Sequence, residues 1–220
     1  MKKTMQSLIL TGALLGGSAY SIQGVAQTQA KLHPNEAHKM AAPYENIGVP
    51  SGAYTMDKTH GYVTFSYSHF GLSNPQLRFR DIDATLVLDA DVPENSQLNV
   101  VIDAASIDSG VDVFDEHLNS PDWFNTAKHG KITFKATGFT RSSAAAGTMS
   151  GDLTIMGITK PLTLDVTLLA AKLHPFTKVP AIGIEARGTL KRSDFGLGNY
   201  APGVTDKVDL LISAEFHKDK

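Results

Sequence analysis

The side chains able to do chemistry are few and scattered. His69 ends a run of alternating residues, and histidine serves both as general base and as metal ligand. No second and third ligand sits near it at metal spacing, and no His-Glu-x-x-His pattern occurs. Asp115, Glu116 and His117 are adjacent on what reads as one short helical turn. Neighbours on a helix do not face one another, so they cannot converge on one ion. Capping or anchoring a helix is the work expected of them. Arg192 and Asp194 flank the turn before Phe195-Gly196. An ion pair fixing that loop is the expectation, and a guanidinium meeting a phosphate or quinone oxygen is the alternative. The chain has no cysteine and no Gly-x-Ser-x-Gly elbow. Catalysis needs convergent groups, so no catalytic residue, metal or cofactor is expected.

The start of the chain bears on compartment. Lys2 and Lys3 precede an apolar run from Leu8 to Leu15, and small residues lead to Gly24-Val25-Ala26. This is the three-part pattern of a cleavable signal peptide over 1–26, with cleavage after Ala26 or, as a second site, Ala30. The run is short of the roughly 20 residues of a membrane-spanning helix, and no later stretch reaches that length. A periplasmic protein with no stable membrane span is therefore expected. Residues 27–51 read as a linker or arm, and 52–218 as one domain. The formal charge is −2 and the charges are interspersed, without the basic stripe of a nucleic-acid binder. Oligomeric state stays open, a homodimer included.

These few groups must be positioned by strands, because from Gly52 onward the chain alternates with period two. Val63, Phe65 and Tyr67 oppose Thr64, Ser66 and Ser68. Similar runs lie around Leu86, Val100, Phe134 and Ile155, and longer ones over Leu162–Leu168, Ile182–Lys191 and Val208–Phe216. About eight strands result. Alternation wets one face and buries the other, which marks an antiparallel sheet. Only Val113 to Asn119 and Pro121 to Asn125 look helical, too little to cover that face. The sheet must bury its apolar side against itself, as a sandwich or a closed barrel.

Five segments carry a family resemblance. They are Gly61 to Ser73 (GYVTFSYSHFGLS), Ala105 to Asp108 (ASID), Asp115 to Asn125 (DEHLNSPDWFN), Gly151 to Pro161 (GDLTIMGITKP) and Lys191 to Leu197 (KRSDFGL). In this order and spacing the chain from about Tyr54 to Phe216 resembles the YceI family of exported, polyisoprenoid-binding proteins. The resemblance implies an all-β fold: an antiparallel, eight-stranded, lipocalin-like β-barrel with a short helical insertion between strands 4 and 5. It also implies an elongated pocket for an isoprenoid or other long apolar lipid, and no cofactor. The chain departs from the family pattern at Asn74-Pro75-Gln76-Leu77 and in having Trp123-Phe124 where many members have two phenylalanines.

With the barrel hollow, the inward faces become the ligand-binding wall: Val63, Phe65, Tyr67 and His69, then Leu86, Val100 and Ile102, then Phe134, Ile155, Leu164 and Val166, and finally Ile184, Leu210 and Ile212. Trp123 and Phe124 either plug one end or line the mouth. The function this implies is a carrier or sequestering protein for an isoprenoid or quinone-type lipid, with a link to stress response. Two rivals are a lipid-modifying hydrolase or isomerase relying on His69, and a filled barrel acting as an interaction module.

Overall fold

The computed structural model describes residues 46–220, so the expected signal peptide and most of the expected arm lie outside the described residues. Ten strand segments follow one another: β1 (Gly52–Ser66), β2 (Gln76–Phe79), β3 (Ile82–Leu88), β4 (Gln97–Asp103), β5 (Ile107–Asp108), β6 (Lys131–Arg141), β7 (Ala146–Ile155), β8 (Ile158–Leu173), β9 (Pro180–Lys191) and β10 (Lys207–Lys218). All pair antiparallel, in the order β10-β9-β8-β7-β6-β4-β3-β1. Pairing of β1 with β10, from Tyr54↔Lys218 to Ser66↔Asp209, closes the sheet on itself. Closure answers the question left by the apolar faces, since a barrel covers its own interior and leaves no open edge.

Two barrel strands are broken. β3 pairs with the start of β1 and β2 with its end, so β2 and β3 form one strand kinked at Arg80-Asp81. β4 pairs with β3 and β5 with β2, making a second broken strand interrupted at Ala104–Ser106. Counted so, the closed barrel has eight strands. The one α-helix among the described residues, α1 (Asp112–Asn119), stands between β5 and β6. It therefore follows the third barrel strand, one earlier than the expected position between strands 4 and 5. β2 itself went unread although Leu77 and Phe79 alternate with Gln76 and Arg78, buried against exposed.

Elsewhere the local chemistry explains the element. In β8, Leu162, Leu164 and Val166 are buried while Thr163, Asp165 and Thr167 are exposed, the pattern of a sheet with one dry face. The β7–β8 hairpin turns on Met156 and Gly157, both with positive φ (51° and 76°), as a tight two-residue turn requires. Pro161 is already inside β8, opposite Asp152. Gly151 serves close packing: a β-carbon there would lie 2.3 Å from Cζ of Phe134 and 2.6 Å from the Lys135 carbonyl oxygen. Its bare backbone lets the Phe134 ring lie flat across β7.

The interior is apolar and closes at one pole. Val49, Tyr54, Met56, Ile182 and Phe216 are buried there, and the Tyr54 hydroxyl donates to the Pro50 carbonyl at 2.6 Å. At the other pole the sheet is capped by the β1–β2 connection, by α1 with the turns after it, and by residues 196–206.

Candidate functional site

Inside the barrel lies a cavity of about 490 Å³, within the range of small-molecule sites. Its wall is built by alternation. Val63 and Phe65 of β1, with Tyr67 and His69 beyond its end, face it, as do Val100 and Ile102 of β4, Phe134 of β6 and Ile155 of β7. Leu164 of β8, Ile184 of β9 and Leu210 and Ile212 of β10 complete the ring, and Trp123 and Phe124 close over it from the turn after α1. Leu86 and Val166 do not reach this cavity. They border a smaller one of about 120 Å³ nearer the closed pole. Leu98, Met149, Ile184 and Phe216 line both and so form the partition.

Leu77 and Phe79 of β2, Phe114 of α1, and Leu197, Tyr200 and Val204 of the capping loop also line the cavity. β2 carried a short alternating signal. Tyr200 and Val204 lie in a loop with no period, where no pattern marks which side chains turn inward.

Polar groups on the wall gather at the mouth. Apart from Tyr62, they are Tyr67, His69, His117, Trp123, Arg192 and Tyr200, and among the described residues no aspartate or glutamate lines the cavity. Trp123 is held in place by a hydrogen bond from its Nε1 to Nε2 of His117 at 2.7 Å and by stacking with Tyr200, ring centres 6.2 Å apart. Its Phe124 neighbour meets Phe79 edge to face at 6.0 Å. Trp123 thus belongs to the mouth rather than to the deep core. His117 accepts this bond, which fixes its proton on the other ring nitrogen. Asp115 anchors the helix as expected, accepting the Ser109 amide at 2.8 Å.

His69 is exposed, its ring edge-on to Phe70 at 4.7 Å. Its backbone bridges to Ser73 and Val204, stitching the β1–β2 connection to the capping loop. Phe70 adds to that seam by donating its amide to the Gly203 carbonyl at 2.8 Å.

Arg192 is the centre of the capping loop, and its role differs from the ion pair expected with Asp194. The side chain is 6% exposed. Its Nε donates to the Thr205 carbonyl at 2.9 Å, Nη2 to those of Asn199 and Val204 at 2.8 and 2.7 Å, and Nη1 to that of Leu197. Four of the five guanidinium N–H groups are spent on holding residues 197–205 in shape. The carboxylate of this loop is Asp206, which accepts the amide and hydroxyl of Ser193 at 2.8 and 2.7 Å. Those bonds, with the nearby Arg192 charge, hold the Asp206 carboxyl below the usual aspartate range. The sequence offered Asp194 only because it is near in number; Asp206 arrives through the β9–β10 pairing. Burial raises the Tyr67 phenol above its ordinary value, with the Arg192 charge acting against it.

The profile of the YceI-like domain matches residues 54–216. Protein YceI from Escherichia coli O6:H1 is 35% identical over 164 residues, covering 74% of this chain and 85% of its own. The crystal structure of a Campylobacter jejuni YCEI protein superposes with a TM-score of 0.64 at 28% identity, over 68% of this chain and 88% of that one. A polyisoprenoid binding domain from Saccharophagus degradans, implicated in plant cell wall breakdown, superposes at 0.58 with 14% identity, over 77% of this chain and all of that one.

Proposed function

The chain belongs to the YceI-like family, and from that premise we propose that it is an exported binding protein that shelters one long apolar tail of isoprenoid type. The observation that carries the proposal is the distribution of chemistry around the cavity: an apolar shaft of about 490 Å³ with its hydrogen-bonding groups collected at one end. A tail leaving water for such a shaft gains roughly 25 cal/mol per Å² of apolar surface buried, less the cost of ordering it. Affinity then comes from the tail and selectivity from the head. Tyr67, His69, Tyr200 and Arg192 line the mouth, where a quinone or phosphate head would sit. The name of the Saccharophagus degradans domain supports the isoprenoid class.

A binding role also accounts for what the wall lacks. A hydrolase or isomerase would need a base and a partner acid converging on the tail. His117 is committed to Trp123, and His69 lies at the rim with no carboxylate beside it on the wall. Export through the peptide at 1–26 to the periplasm is part of the same proposal, as is carriage or sequestration of quinone or polyprenyl lipids under stress.

Trp123 is the only tryptophan in the chain, so its fluorescence reports the mouth alone. Titration with an isoprenoid quinone should quench it to saturation at one equivalent, because the redox-active head rests against the indole. His69→Ala should leave that titration largely unchanged. Absence of quenching together with absence of binding by equilibrium dialysis would overturn the proposal.

A further inference from the structure

At the closed pole, outside the cavity, the outer face of β10 meets the turn that joins β8 to β9. Alternation sends Phe216 into the core and its neighbours Glu215 and His217 to the outer face. His174, the first residue after β8, stands beside them, its ring centre 5.1 Å from that of His217. Glu215 Oε1 lies 2.6 Å from Nε2 of His217 and 3.8 Å from Nε2 of His174. One donor atom from each of the three residues falls within 4.8 Å of the other two. All three side chains are half-buried, so each is already partly desolvated and restricted.

Two imidazoles and one carboxylate are a donor set for a borderline divalent ion, whereas magnesium and calcium ask for oxygen. Around a tetrahedral zinc, bonds of roughly 2.0–2.2 Å place donor atoms about 3.3 Å apart. The two distances at Glu215, 2.6 and 3.8 Å, lie on either side of that separation. Each of these two needs a change of well under 1 Å, and the remaining separation, between the two histidines, is at most 4.8 Å. We propose that His174, Glu215 and His217 form a zinc-type divalent metal site on the outer wall, with the fourth position open to water.

The site is tied to the β8–β9 turn. Nδ1 of His174 accepts the amides of Thr177 and Phe176 at 3.2 and 3.4 Å, so in the metal-free ring the proton sits on Nε2. An ion taking Nε2 moves that proton to Nδ1, which then repels the same two amides. Metal binding is thereby coupled to a change in the turn, and it clips that turn to β10.

The untagged full chain is titrated with zinc chloride and followed by calorimetry, thermal unfolding and amide NMR. One equivalent binds, the melting temperature rises with zinc concentration because the ion binds the folded state, and the amides of Phe176 and Thr177 shift. Magnesium chloride produces none of this. Glu215→Gln and His217→Ala lose the zinc-dependent rise, and His174→Ala, which lies outside the sheet, gives the same result if a strand variant folds poorly. A double His33→Ala, His38→Ala variant keeps the full response. The proposal is overturned if wild type shows no zinc response, if the response survives in His174→Ala and His217→Ala, or if magnesium matches zinc.

Discussion

Arg192 shows how a single side chain can shape a mouth through the backbone it holds. Its guanidinium ties together four carbonyls spread over residues 197–205, a fork that a lysine cannot reproduce with one ammonium group. Arg192→Lys should therefore leave buried carbonyls unsatisfied and cost about 1–3 kcal/mol of stability, measurable by denaturant unfolding. The same loop carries a pH dependence. The folded-state pKa of Asp206 is depressed, first by its bonds from Ser193. Its contribution is thus fully present above the ordinary aspartate range and is lost as the pH falls through the depressed value. Protection of the amides in residues 193–206, with the intrinsic exchange rate at each pH divided out, should fall on acidification below the ordinary aspartate range, and Asp206→Asn should show that loosening already at neutral pH. At this scale the sequence was only partly legible. Arg192 stood out beside Asp194 as a charged group in a turn, but its carbonyl partners have no side-chain signature to read.

At the scale of strands and turns, alternation carried most of the information. The inward and outward faces of β9, of β10, of β1 from Val63 and of β8 up to Leu168 follow directly from period two, and with them most of the cavity wall. Bulges between Met56 and Gly61 and between Leu168 and Ala170 reset the phase. What alternation does not carry is depth along the barrel. Leu86 and Val166 share a face with the other wall residues, yet they sit behind the partition of Leu98, Met149, Ile184 and Phe216. Met149 is the most compliant member of that partition. Met149→Ala should merge the two spaces, cost about 2–5 kcal/mol, and shift binding toward longer tails in a chain-length series. Close packing across β6 and β7 gives an opposite test. In Gly151→Ala the added methyl meets Phe134 and the Lys135 carbonyl. Stability should fall by about 1–3 kcal/mol, and the displaced ring should narrow the cavity and weaken tail binding in the same titration.

For the whole molecule, the barrel has two unlike poles. One is sealed by Tyr54, Met56 and Phe216. The other is roofed by elements whose exposed apolar side chains, Phe70, Leu72, Val113 and Tyr200, surround the entrance. Antiparallel closure could be argued from the chain alone up to the choice between sandwich and barrel, because nothing in periodicity says whether β1 meets β10. Five ordered motifs supplied that choice. The hollow interior was legible only through the same resemblance, since an apolar inward face looks identical whether it packs on itself or lines a shaft. We propose that this shaft holds an isoprenoid-type tail in the living cell. The direct measurement is mass spectrometry of organic extracts from the protein recovered, without denaturation, from its native host. About one isoprenoid lipid per chain is expected, depleted in Gly151→Ala. Extracts empty of lipid, from protein that also fails to take up added isoprenoid, would contradict it.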